Sequence, residues 1–228
     1  MIWTVDNFNI IAGRILQKMP ITLTMLFISL LFGLLIGLGI ALVRIHKKPI
    51  PYAVSTIFIS YMRCTPTLVQ LFVAYYGLPL LFAQLGLDIN SWSPLVFAIV
   101  TFTLNISAYF SEMFRSAYLT VGQGQLEAAY SVGMKYHQAL RRIVLPQALA
   151  ISIPNLTGNI IYLLKESALA FSIGVIDMLG QADVILATNY HVSVLQVYAI
   201  IAVIYWLLSV IIQKGGDAAE KKLKKGHF

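Results

Sequence analysis

Charge is what this chain has least of. Asp, Glu, Lys and Arg make up only 11% of its 228 residues, against about a quarter in a water-soluble globule. Hydrophobic residues reach 59% and mean hydropathy is +0.81. Such a chain cannot cover itself with polar surface, so lipid is its solvent. Cysteine is almost missing: Cys64 stands alone, which excludes an internal disulfide and leaves the redox compartment unreadable. The four histidines, His46, His137, His191 and His227, are scattered without metal-ligand spacing, so no metal site is expected. No Gly-x-x-x-x-Gly-Lys-Ser/Thr loop is present to cradle a nucleotide phosphate. Gly-x-Ser-x-Gly and His-Glu-x-x-His are missing too, and no histidine falls inside the long apolar runs. A membrane-embedded enzyme would need such a set, so no catalytic residue is expected. Nor does the N-terminus read as a cleaved signal peptide. Asp6 interrupts it, and the following apolar run is too long and ends in Arg44.

What is present is long apolar runs. A hydrocarbon core of about 30 Å needs about 20 apolar residues in a helix. Five segments qualify, near 20–43, 55–83, 95–118, 148–170 and 193–213. The second carries Pro66 and Pro79, which predicts a kink or a tilt. The fold class expected is an all-α integral membrane protein of about five transmembrane helices.

The net charge of +7 sits in short clusters between these runs. Arg44, Lys47 and Lys48 follow the first span, and Lys135, Arg141 and Arg142 lie between the third and fourth. Lys214, Lys221, Lys222, Lys224 and Lys225 follow the fifth. The connections 84–94 and 171–192 contain no Lys or Arg, only Asp88, Asp177 and Asp183. By the positive-inside rule the N-terminus is outside and the C-terminus inside. Arg14 and Lys18 run against this mildly. An amphipathic segment over 1–19, with Ile2, Val5, Phe8, Ile11 and Ile15 on one side, lying on the outer surface would accommodate them. The domain plan is then an external segment 1–19, a transmembrane region 20–213 with a cytosolic loop at 119–147, and a basic cytosolic tail 214–228. Gly33-x-x-x-Gly37 permits close helix contact, although glycine is common in membrane helices in any case. There is no internal repeat, and five spans cannot form an inverted-repeat transporter. A pathway would call for a second chain.

The cytosolic loop is the informative segment. Glu127-Ala128-Ala129 is followed by Gly133, then Ile143, then Leu145-Pro146. Glu127 to Val132 is good helix-forming sequence, and Leu126, Tyr130 and Gly133 fall at helical spacing. Gly133 suits the left-handed position that ends a helix. By residues alone this is an amphipathic connecting helix. The spacing of all seven positions resembles the EAA signature of ABC-importer permeases.

The resemblance extends along the chain to the polar amino acid permeases. Arg63-Cys64-Thr65-Pro66 with Val69-Gln70-Leu71-Phe72, Tyr76-Gly77-Leu78-Pro79, Ser111-Glu112-Met113-Phe114-Arg115 and Leu164-Lys165-Glu166-Ser167 all have counterparts there. Cys64, Ser116 and Gly124 depart from the usual pattern. The resemblance implies a bacterial plasma-membrane, multi-pass permease subunit that moves amino acids (polar, cystine-like or basic) by alternating access. It implies a coupling role for Glu127, Ala128, Ala129, Gly133, Ile143, Leu145 and Pro146. The implied partners are separate ATPase subunits holding ATP and Mg, a second permease copy or a related one, and an external solute-binding protein. This chain itself would hold no cofactor. A stand-alone ion-coupled carrier or channel is the alternative, with the coupling motif then accidental.

Charged groups inside a bilayer need a partner or a wet cavity. Glu112 and Arg115 are three apart and can pair, and Arg63 sits early in its span where an interface is near, so these three read as structural. Lys165 and Glu166 point about 100° apart on a helix and cannot easily neutralise each other. With Asn155, Asn159 and Tyr162 on the same span they form a candidate substrate path, Glu166 meeting an ammonium and amides or Lys165 a carboxylate. The other reading has Lys165 snorkelling to the surface and Glu166 packing on a neighbouring subunit.

Overall fold

The computed structural model describes residues 5–188 and 193–224. Ile2 of the amphipathic segment, part of the connection 171–192, and Lys225 in the basic tail lie outside the described residues. The described residues form helices and no strand. They are α1 (Val5–Leu16), α2 (Met19–His46), α3 (Pro49–Cys64), α4 (Thr67–Gln84), α5 (Pro94–Thr120), α6 (Gln123–Ser131), α7 (Tyr136–Ile173), α8 (Met178–Thr188) and α9 (Val194–Lys224). Five segments among them are long and apolar enough to cross a membrane.

Helix α2 carries Ser29, Gly33, Gly37 and Ala41, four residues apart and all buried. That spacing places them in one stripe. The stripe faces α5. A Cβ at Gly33 would run into the Ile106 side chain. One at Gly37 would stand 2.7 Å from Phe110 Cβ and 2.8 Å from the Ser107 carbonyl oxygen. Ser29 Oγ donates to the Ile99 carbonyl at 3.2 Å. Lipid offers no hydrophobic drive between helices, so close packing of this kind is what joins them. On this seam sits the main core, with Met25 of α2, Phe102, Ile106 and Phe110 of α5, and Leu163 and Leu164 of α7. Helix α9 closes the far side of α7, where Gly216 lies against Thr157 so tightly that a Cβ would overlap its side chain.

Two expectations change. The predicted second span over 55–83 is two helices. Helix α3 ends at Cys64, Thr65 is extended (φ −107°, ψ 144°), and α4 starts at Thr67. A residue before proline is pushed out of the helical region, and Pro66 has no N–H to continue the ladder. The amphipathic N-terminal segment does not simply rest on a lipid surface. Ile11 and Ile15 of α1 are buried against Met178 and Ile185 of α8 and Val197 and Ile200 of α9, forming a second core. Phe8, Ile10 and Leu16 stay exposed.

Helix α8 is anchored by Asp177, whose side chain is fully buried. The Gly180 N–H donates to Asp177 Oδ1 at 2.8 Å and the Tyr205 hydroxyl to Oδ2 at 3.4 Å. Burial pushes this carboxyl up to about 6, opposed by these hydrogen bonds. An acid with a raised folded-state pKa stabilises the fold at low pH and loses that contribution as pH rises through its folded value. The wild-type melting temperature in detergent therefore falls between about pH 4 and pH 7 by more than that of Asp177→Asn, which keeps a capping side chain. Equal slopes for the two proteins would refute a buried, titrating Asp177. At the helix seam, Gly37→Leu is destabilised by about 1–3 kcal/mol or fails to fold. Gly39→Ala, where a Cβ meets no atom within 4 Å, is neutral or slightly stabilising. Detergent melting curves of the two variants decide this.

Candidate functional site

The loop between α5 and α7 holds a rigid short helix. Helix α6 starts after Gly122, whose φ is +78°, and stops before Gly133, whose φ is +82°. Its end is a complete Schellman cap: the Gly133 N–H bonds the Tyr130 carbonyl at 2.9 Å and the Met134 N–H bonds the Ala129 carbonyl at 3.0 Å. Gly133 is thus the residue that lets the chain reverse. Three residues later the chain enters α7, which runs unbroken from Tyr136 to Ile173. Lys135 opens α7, its N–H bonded to Gln138 Oε1 at 3.0 Å. Helix α6 is therefore followed directly by one continuous helix that is long and apolar enough to cross a membrane.

The motif residues divide by exposure. Glu127 and Ala128 are exposed, and Ala129 is buried at 2%. Tyr130 is 47% exposed, so the side that packs inward runs through Ala129 and the half-buried Leu126 rather than through Tyr130. The small alanine lets α6 lie close to the start of α7. Ile143 and Pro146 are half-buried and Leu145 is exposed on the stem. Pro146 sits just after a widened π-turn at Leu140–Val144, and Pro79 just after another at Val73–Gly77. A proline cannot donate to the carbonyl four residues back and clashes with it. The wider turn accommodates the proline without breaking the helix. Pro66, with an extended residue before it, does break its helix.

That break leaves the Met62 carbonyl without its helical donor, because the residue four along is Pro66. Gln70 Nε2 supplies a bond to Met62 O at 3.0 Å and to Thr65 O at 3.1 Å. Asn105 Nδ2 of α5 adds one to Met62 O at 3.2 Å and holds Gln70 Oε1 at 2.9 Å. Gln70 and Asn105 are both buried. Sequence reading quoted Gln70 only as part of a motif and passed over Asn105. A buried amide pair beside an X-Pro break was the available signal.

Beside this network, Tyr162 of α7 meets Thr67 Oγ1 of α4 at 3.2 Å and packs on Tyr109 of α5, ring centroids 5.1 Å apart. Arg63 lies over the Tyr109 ring at 5.4 Å. Of the sequence-predicted path residues, Tyr162 thus joins three helices. Asn159 is half-buried with Nδ2 3.9 Å from Met113 Sδ, and Asn155 is exposed. Lys165 is exposed and Glu166 half-buried, and neither forms an ion pair among the described residues. Glu112 accepts from Arg115 and also from Arg44 of α2. Arg44, nearly buried, is the partner that sequence reading did not foresee, because it lies 68 residues away.

The geometry is that of a helical membrane domain with a capped, exposed short helix between two long spans. Residues 14–225 match the family described as "Binding-protein-dependent transport system inner membrane component". The chain belongs to this family. It is a permease subunit of the ABC-importer type, a family of transport permeases rather than catalysts. This permease is 41% identical to the L-cystine transport system permease protein TcyL of Bacillus subtilis over 91% of its own length and 86% of that protein. It is 34% identical to the arginine transport system permease protein ArtQ of the same organism, over 92% of each chain. A solved structure of an amino acid ABC transporter with histidines superposes with a TM-score of 0.85 at 32% identity, over 97% of this permease and 100% of that chain. The MetNI methionine transporter, at 22% identity and a TM-score of 0.73 over 92% of this permease and 96% of that chain, shares the fold.

Proposed function

We propose that this permease forms, with a second copy or a related permease, the transmembrane path of an ATP-driven amino-acid importer in the bacterial plasma membrane. The observation that carries this is α6: an exposed nine-residue helix, glycine-bounded at both ends and joined stiffly to α7. Exposed Glu127, Ala128, Tyr130, Val132 and Tyr136 give a partner ATPase subunit a mixed polar and aromatic face to grip. ATP and Mg belong in that partner. The N-terminus lies outside and the basic tail inside, in keeping with the Lys and Arg distribution. A solute-binding protein then delivers substrate to the outer connections 84–94 and 171–192. Cystine and arginine, named for the relatives, indicate zwitterionic substrates of polar or basic character. Glu166, one turn beyond Tyr162 and without an ion-pair partner among the described residues, meets the α-ammonium group in this reading, with Asn155, Asn159 or Lys165 serving the carboxylate.

Reconstituted in lipid with its ATPase and binding protein, the permease shows ATP hydrolysis stimulated by one or a few amino acids, cystine included in the panel. Glu127→Arg on the exposed side of α6 abolishes that stimulation. Failure of any ATPase to associate would overturn the importer in favour of an ion-coupled carrier. For the path, Glu166→Gln lowers uptake by roughly tenfold or more, the weight of one charge-assisted hydrogen bond, while the complex still assembles on size exclusion. Uptake at the wild-type level would remove Glu166 from the path.

A further inference from the structure

Helices α2 and α3 meet at the turn Lys47–Lys48, with a trough between them. Ile36, Ile40 and Val43 of α2 and Val54 and Phe58 of α3 line an apolar cavity of about 670 Å³. It runs into a second cavity of about 330 Å³ bounded by His46 and Lys48, the two sharing Val43 and Pro51. The trough is therefore apolar along its length and basic at one end. Gly39 lines it, and a Cβ there meets no protein atom within 4 Å, whereas those at Gly33 and Gly37 collide with α5.

Among the described residues the basic end has no ion-pair partner. Neither α2 nor α3 contains an acidic residue. Glu112 of α5 is taken by Arg44 and Arg115. Lys47 and Lys48 are exposed and form no ion pair among the described residues. His46 Nδ1 donates to the Leu42 carbonyl at 2.7 Å, which leaves Nε2 for an outside partner. Lys47 also holds a left-handed conformation, φ +53°, at a position where glycine or asparagine is the ordinary occupant. The turn thus places a cation where the backbone ordinarily favours glycine or asparagine.

We propose that the trough holds one anionic membrane phospholipid, its acyl chain along Ile36, Ile40, Val54 and Phe58 and its phosphate against His46, Lys47 and Lys48. Basic pockets between membrane helices on the cytoplasmic side suit such head groups. The proposal rests on the inward placement of this turn given by the importer reading. The bound lipid fills the space between α2, the helix seated on α5, and α3, the helix that ends at the Pro66 break.

Native mass spectrometry of the permease purified with its ATPase tests this, using phosphatidylglycerol and phosphatidylcholine as probes. Phosphatidylglycerol is retained and phosphatidylcholine is not. Lys47→Asn, chosen to keep the left-handed turn, and Lys48→Gln each weaken retention about fivefold. Gly39→Leu fills the trough and removes retention while the complex still assembles. Equal retention of the two lipids, or unchanged retention in these variants, would overturn the proposal. So would quantitative cross-linking between two copies through a cysteine at Ile40 in a Cys64→Ser background, since that places protein on this face. Amino-acid-stimulated ATP hydrolysis, read on the same preparations, separates the two questions: stimulation without lipid selectivity removes the lipid site alone and leaves the importer standing.

Discussion

Contact between α2 and α5 with almost no side chain between them is the constraint on which the structure depends. Gly33 and Gly37 let the α2 backbone reach the Ser107 carbonyl and the Phe110 side chain, and Ser29 bonds the Ile99 carbonyl across the same seam. In lipid, apolar area alone does not drive helices together, so fit at such a seam must. The seam fixes where Phe102, Ile106 and Phe110 point, and these receive Leu163 and Leu164 of α7. Because α7 also carries the stem below α6, the docking of the exposed helix is referred back to the same contact. The Arg44–Glu112 pair closes that end of the seam.

Irregular backbone in a bilayer is tolerated only where its polar groups find partners. At Thr65–Pro66 those partners are Gln70 and Asn105, both buried, which take over the Met62 carbonyl. At Pro79 and Pro146 the helices widen into π-turns and continue. Three prolines thus give two outcomes, decided by whether the preceding residue stays helical. The broken one places Thr67 beside Tyr162 and Arg63 over Tyr109, so the departure from regular helix is what gathers polar groups from three helices at one place.

Much of this was legible in the residues. Low charge and long apolar runs made a membrane fold unavoidable, and the five spans follow from length. Glu127 to Gly133 read as a short helix with a glycine stop, and the positive φ of Gly133 is that stop. What was less legible depends on contacts distant in sequence. Pro66 was expected to kink a span. It breaks it, because the amide partners that make a full break tolerable lie 4 and 39 positions away in Gln70 and Asn105. Spacing put Leu126, Tyr130 and Gly133 on one face of α6 without saying which face packs, and Ala129 is the buried residue, because closeness to α7 favours the smaller side chain.

The sequence by itself determined that the chain lives in lipid, how many times it can cross, and where the short helix α6 stops, since hydropathy and glycine act locally. Only the tertiary structure decided which faces meet. It turned Gly33 and Gly37 inward and left Gly39 uncovered, gave Glu112 a second arginine from α2, and docked Ile11 and Ile15 on α8 and α9. These pairings are set by close packing between helices far apart in the chain, and local periodicity carries no information about which helix the neighbour will be.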